Sequence, residues 1–526
     1  MGARIGPVRL AAAVTLAAWA WAPRALAQVE VLDDGLAVGE WTFRPIIELR
    51  LRGEYRYAPV TTGGAEVAST AVLAHDRSGN GLPLADHAAA ADQQWLVAER
   101  ARLGLEVQWK LVRARVLLED ARALGIVPGA PAELDAGGFG VLAPYEAYLA
   151  IGTARLGDSP SDRTGDKQPS KPSEGAHDQA LAGATTTDTA QPRDWDIEVR
   201  LGRQAVQWGD GRLVGRSDWA LRGASLDAAR LLVRAGDVDV DLLGALLAVP
   251  GATSPEATAQ APEPSSTGGY GSGAQLYGAN VGWRALDLFH AELTQLVRVV
   301  REPVPTSLTP SDTFALDARV SGEQRGFRYA AEGTLELGRV ASYGTLRPVH
   351  AFAVAARASL LTALPGSFEF GLAGSYASGQ QTSDQAADAP ITRFDPIVPE
   401  QHEGHGLMDL SAWSNSIEGG GFVRATPFDG AEVRLGFEFL GLAQPADRWT
   451  TASLVPVGAA NDNESHVLGY SPDLQLSVSP WDPLRFAAGY GLCVLGAGGR
   501  NILEAAGRGS RDLLHYAFLE ARLRAP

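Results

Sequence analysis

Sulfur and lysine are nearly missing from this 526-residue chain. Cys493 is the sole cysteine, which excludes an intrachain disulfide and a thiolate metal centre. Lysine occurs only at Lys110, Lys167 and Lys171, against 42 arginines. A GC-rich coding bias produces such a skew, but the forked guanidiniums it leaves are well suited to carboxylates. Past residue 28 no run approaches the roughly 20 apolar residues of a transmembrane helix. Positive excess is missing as well. Once Arg4, Arg9 and Arg24 of the leader described below are set aside, 42 basic residues face 61 acidic ones. That balance of −19 excludes nucleic acid as a partner. Finally, no shift in composition divides the chain, although its length alone suggests several domains.

What is present begins with a leader. Arg4 and Arg9 precede an apolar run from Leu10 to Trp21, and Ala25-Leu26-Ala27 supplies a small-x-small cleavage site before Gln28. Residues 1–27 therefore read as a secretory signal peptide, and 28–526 as the mature chain.

The mature chain is dominated by period-two alternation, which places every second residue on one face of a strand. Glu48, Arg50, Arg52, Glu54 and Arg56 alternate with Ile47, Leu49, Leu51, Gly53 and Tyr55. Arg113, Arg115 and Glu119 alternate with Val112, Ala114, Val116 and Leu118, and Asp237, Asp239 and Asp241 with Val238, Val240 and Leu242. Eighteen such segments can be placed, from 44–57 to 511–524. A soluble sandwich rarely reaches that number without a repeat. The pattern predicts an all-β fold: one transmembrane antiparallel β-barrel of about 18 strands in the outer membrane, its apolar face to lipid and its charged face to a watery lumen.

Short turns at Lys110-Leu111, Ala235-Gly236, Gly322–Arg325 and 480–483 alternate with long segments such as 58–93, 250–273, 379–409 and 443–464. Short periplasmic turns against long external loops are the rule for such barrels. Residues 155–194 fall on the turn side yet form a long stretch rich in Ser, Thr, Asp, Gly and Pro, which reads as a flexible periplasmic segment. Trp41, Trp95, Trp109, Trp195, Trp283 and Trp481 fall near strand ends, as an interfacial aromatic girdle does.

The most distinctive run is 200–230. It holds Gly202-Arg203-Gln204, then Trp208-Gly209-Asp210-Gly211-Arg212-Leu213-Val214-Gly215, then Asp218-Trp219 and Asp227. This block resembles the alginate-export family of outer-membrane proteins, as do 99–110, 393–410 and 465–498. The resemblance implies an 18-stranded passive channel carrying an anionic polyuronate through an arginine-bearing lumen. General or nutrient-uptake porins share the fold.

On the alternation, Arg50, Arg52, Arg100, Arg102, Arg113, Arg115 and Arg200 face the lumen, Arg212 sits in a loop and Arg230 on the next strand. Arg203 has lipid-facing parity unless Gly202 marks a bulge, and enters only through the motif. Glu48, Glu54, Glu106, Glu119, Asp196 and Glu198 share the lumen face, so pairing across strands competes with a role in transport.

Neither a cofactor nor a metal is expected. His402-Glu403-Gly404-His405 lacks the H-E-x-x-H spacing, and His290, His350 and His515 lack a G-x-S-x-G elbow, which argues against a lipid or glycan hydrolase. The expected partners are outer-membrane lipid and an anionic polysaccharide or acidic solute, with room for a periplasmic protein. A single closed barrel is expected to be monomeric.

Overall fold

The computed structural model describes residues 29–32, 35–57, 60, 93–126, 142–153, 195–221, 223–248, 273–286, 289–301, 310–342, 345–381, 389–402, 404–454, 456–509 and 511–525. The expected leader 1–27 and segment 155–194 lie outside them.

A short N-terminal hairpin, β1 (Val29–Leu32) and β2 (Gly35–Val38), leads into the wall. The wall continues through β3 (Trp41–Tyr57), β4 (Gln93–Trp109), β5 (Val112–Ile126), β6 (Ala143–Gly152), β7 (Trp195–Gln204) and β8 (Leu226–Ala235). Next come β9 (Val238–Ala248), β10 (Gly273–Leu286), β11 (Phe289–Arg301), β12 (Ser311–Gln324), β13 (Phe327–Ser342) and β14 (Thr345–Leu361). Then follow β15 (Glu369–Ala377), β16 (Ser416–Ala425) and β17 (Ala431–Gly441). After the loop pair β18 (Trp449–Thr450) and β19 (Pro456–Gly458), the wall resumes with β20 (Val467–Trp481), β21 (Leu484–Leu495) and β22 (Leu513–Ala525).

Each wall strand pairs antiparallel with the next, and β22 returns to β3 in a register running from His515↔Tyr57 to Ala525↔Ile47. The sheet is a closed barrel of 18 strands, as the alternation predicts. In hydrocarbon every backbone donor and acceptor must be paired within the protein, and closure achieves this. β6 pairs directly with β7, from Ala147↔Arg203 to Gly152↔Glu198. β2 pairs with Trp41–Phe43 of β3 and so extends the wall beyond the end of β22.

Burial is inverted relative to a soluble protein. Glu48, Arg50 and Arg52 of β3 are buried while Leu49 and Leu51 are exposed, and on β4 Arg100 is buried while Leu103 and Leu105 are exposed. Trp41, Trp109, Trp195, Trp283 and Trp481 sit exposed at turn-side strand ends, and Trp95 sits at the loop-side end of β4.

Three features depart from the expectations. Asp237 belongs to the turn between β8 and β9, so only Asp239 and Asp241 of that trio are on the strand and point inward. A helix, α1 (Ala497–Ala505), occupies the β21–β22 connection, where no helix was expected. Gly498 and Gly499 weaken its intrinsic propensity, and burial of Ile502 and Leu503 against the loops offsets that loss.

The third departure concerns the interior. The loop-side half is packed, not water-filled. Ala245, Ala274, Ala315, Ala351, Ala353 and Ala377 are buried on the inner wall, and their small side chains leave room for loop residues Trp208, Val214, Phe394, Ile397 and Trp413. Leu407, Leu410, Trp449, Val457, Ile502 and Leu503 form a second loop-side cluster, which includes Tyr516 and Phe518 of β22. The expected strand 410–425 accordingly begins only at Ser416, because the preceding residues are drawn into this packing.

Candidate functional site

Two loops cross the interior: one between β7 and β8, described at 205–221 and 223–225, and one between β15 and β16, described at 378–381, 389–402 and 404–415. They interlock through a parallel bridge, Val214↔Val398, in which Gly215 N donates to Val398 O at 2.8 Å and Val398 N to Leu213 O at 2.9 Å. Glu400 N donates to Gly211 O at 2.8 Å, and Ser217 N donates to the Glu400 carboxylate at 2.6 Å. The glycine spacing of the Trp208–Gly215 block follows from this contact. Gly211 has φ +79°, and a Cβ on Gly215 would lie 2.4 Å from Glu400 N.

The early-strand arginines fasten this roof to the wall. Arg50 donates to the carbonyls of Asp218, Trp219 and Ala220 at 2.8, 3.1 and 2.5 Å. Arg100 donates to Asp218 O at 2.9 Å and to Glu48 at 2.5 Å. Arg52 donates to Trp219 O at 3.0 Å and stacks on the Trp219 ring at 3.7 Å, and its Nε donates to Glu520 at 2.8 Å. Arg102 donates to the Asp218 carboxylate at 2.7 Å and to Glu119 at 2.8 Å while stacking on Tyr145 at 3.7 Å. Burial opposes charge on Asp218, but the Arg102 and Arg100 guanidiniums prevail and hold its carboxyl well below the usual carboxylate range. Trp219 also stacks on His402, with ring centroids 3.9 Å apart, and His402 Nδ1 lies 2.7 Å from Asp409. His405 faces Glu418 instead, so the two histidines take different partners.

On the opposite wall Asp210 accepts from Arg319 at 2.7 Å and from Arg357 at 2.8 Å, and Arg298 of β11 donates to Asp395 at 2.6 Å. Arg212 lies 5.2 Å from the Trp413 ring and 3.8 Å from Glu332. The remaining inward arginines are paired along the wall. Arg113 donates to both oxygens of Glu198, which also pairs with Arg200. Arg115 reaches Glu106 and Glu146, and Arg230 pairs with Asp241.

Arg203 and Asp227 stand apart from these. They are register partners that pair with each other at 3.2 Å on the outer, lipid-facing parity, exposed and away from the lumen. The β6–β7 register is continuous through Gly202, so no bulge turns Arg203 inward. That glycine instead permits close approach of β6, since a Cβ there would lie 2.3 Å from Ala147 O.

Below the roof, towards the turns, lies a cavity of about 1400 Å³. Its lining includes fifteen arginines and ten carboxylates, a formal excess of five positive charges. Many of these arginines, including Arg328, Arg357, Arg424, Arg434, Arg485, Arg522 and Arg524, were absent from the expected set. Period-two reading of the late strands finds them: Glu432, Arg434 and Glu438 alternate with Val433, Leu435 and Phe437 as clearly as the charges of β3 do.

A profile of the alginate export family matches residues 91–508, while a search of curated proteins finds no match. Among solved structures the chain is similar to three proteins of Pseudomonas aeruginosa, one of them the outer membrane protein OpdK. OccK11 (OpdR) is 10% identical, with 91% of this chain and 96% of that one covered and a TM-score of 0.45. OpdK is 9% identical, with 91% and 98% covered and a TM-score of 0.47. OpdQ is 9% identical, with 92% and 97% covered and a TM-score of 0.45. The family match spans most of the chain, so this closed, inverted barrel with a charged interior belongs to the alginate export family of outer-membrane channel proteins.

Proposed function

We propose that this channel carries an anionic polysaccharide, an alginate-like polyuronate, out through its arginine-bearing vestibule. One observation supports this above the rest: the vestibule holds a formal excess of five positive charges in a chain whose formal net charge is −16. Local field rather than total charge governs permeation. A polyuronate carries one carboxylate per sugar, and passage requires many weak, bidentate-capable cations in place of one tight site. The carboxylates interspersed among the arginines serve that end, because each cation is partly compensated and releases an anion readily.

A second reading, a porin for small acidic solutes, draws support from the roof, which fills the loop-side half of the interior. Planar-bilayer recordings separate the two. Export of a polyuronate requires that added polyuronate enter and block the current carried by small ions. A channel that prefers small anions yet ignores polyuronate at every voltage would favour the solute porin.

A further inference from the structure

Two phenylalanines of the inner wall lie across glycines of a neighbouring strand. Phe422 of β16 is the register partner of Gly371 on β15 and of Gly436 on β17. A Cβ on Gly371 would lie 2.1 Å from Phe422 Cε1 and 2.3 Å from its Cζ, so the ring rests over the bare glycine. Phe518 of β22 is seated in the same way on Gly489 of β21, where a Cβ would lie 2.2 Å from its Cε1. What covers the two rings differs. Phe518 is 5% exposed, and the roof residue Trp219 packs against it with ring centroids 5.3 Å apart. Phe422 is half-buried and lines the vestibule, and among the described residues no aromatic ring packs on it. Arg424 and Arg434 stand beside it, their guanidinium carbons 5.6 and 5.3 Å from the ring centroid. Where Arg52 covers Trp219 and Arg102 covers Tyr145, that distance is 3.7 Å. The two cations therefore border the Phe422 ring without closing over it. Glu369 lies 3.6 Å from Arg424 and Asp473 2.8 Å from Arg434, which holds both guanidiniums at the margin of the ring.

We infer that Phe422 is a stacking platform for one carboxylated sugar ring: the C–H face of the pyranose lies on the phenyl ring, and the carboxylate at its edge meets Arg424 or Arg434. The inference rests on the proposed polyuronate-carrying role and adds to it a residue that reads the sugar instead of its charge. A flat apolar face in a charged, watery vestibule costs free energy until something apolar covers it, and the roof already covers the equivalent ring at Phe518. The face of an aromatic ring carries partial negative charge, which suits C–H groups polarised by neighbouring oxygens. The bordering guanidiniums supply the complement to a carboxylate. Removing roughly 40 Å² of sugar C–H face from water is worth about fivefold in affinity. A contact of that strength selects a sugar acid over other polyanions yet releases it readily.

The test compares block of the planar-bilayer current by two short polyanions of matched charge. One is a uronate oligomer; the other is an oligo-aspartate, which carries carboxylates but no sugar ring. In Phe422→Leu, which keeps an apolar cover over Gly371, the uronate oligomer should need a concentration about fivefold higher to block. Oligo-aspartate block and the reversal potential in a KCl gradient should hold at the parent's values, and heat-modifiable gel migration confirms folding. Phe422→Tyr retains the ring and should keep the parent's block by both probes. Unchanged uronate block in Phe422→Leu, equal weakening of both probes, or a loss in Phe422→Tyr as large as in Phe422→Leu overturns the platform and leaves the proposed function standing. A parent channel that the uronate oligomer does not block removes the proposed function and this inference together.

Discussion

Arg100 and Arg424 face the same lumen, yet the Arg100 side chain is 0% exposed and that of Arg424 is 37% exposed. The difference lies in what the wall beside each has to hold. β3 and β4 lie against the Asp218–Ala220 segment, whose carbonyls point at the wall and need donors, and Arg50 and Arg100 supply them. β16 and β17 border the vestibule, where Glu369 and Glu432 lie beside the Arg424 guanidinium and Asp473 beside that of Arg434. One residue type on one face thus serves two ends. Early arginines hold the roof, late arginines stay partly exposed to the vestibule, and alternation alone does not distinguish them.

Removing anchors should have the largest effect. Arg50→Ala/Arg100→Ala deprives the Asp218 and Ala220 carbonyls of these donors and leaves Glu48 and Asp218 short of partners. Breaking buried charged contacts of this kind costs about 3–5 kcal/mol. Thermal unfolding in detergent should shift down markedly, and single-channel current should rise and become noisy as the roof detaches. A variant with wild-type stability and conductance would break the division between anchors and vestibule.

The next largest effect concerns Asp218. Its folded-state carboxyl titrates well below the ordinary value, so its stabilising contribution is complete above the unfolded pKa of about 3.9 and is lost as pH falls through the lower folded value. The stability difference between the parent and Asp218→Asn should therefore hold steady from neutral pH to about 4 and shrink only in stronger acid. At neutral pH that difference should be about 1–3 kcal/mol.

Vestibule substitutions should cost less stability than the anchor variant. In Arg424→Gln/Arg434→Gln the lost cations are partly exposed and glutamine keeps a donor beside the buried Glu369 and Asp473, so the unfolding midpoint should move less than in the anchor variant while polyuronate block weakens severalfold. Smallest of all is Arg203→Ala. Arg203 and Asp227 pair on the outer wall at the loop-side ends of β7 and β8, where a charge change near the membrane interface costs about 0–1 kcal/mol, and no change in block is expected. A large loss of block would show that Arg203 reaches the lumen after all.

The fold was legible because a barrel wall is written in its local pattern. All eighteen expected segments correspond to wall strands, and the lipid-facing parity of Arg203 was readable from the alternation. Loops 205–225 and 378–415 were not legible as a roof, because their packing depends on contacts between residues nearly 200 positions apart, such as Ser217 with Glu400. The same long-range contacts concealed the division of labour. Arg50 and Arg100 read as lumen cations in the sequence, and only the carbonyls of Asp218 and Ala220 show what they hold.

The reversal potential across a KCl gradient is the most direct measurement. The parent channel should prefer chloride, and Arg424→Gln/Arg434→Gln should move the potential towards the cation side while Arg203→Ala leaves it in place. A parent channel that prefers potassium, or a vestibule variant with the parent's potential, would contradict the assignment of the late-strand arginines to the permeation path.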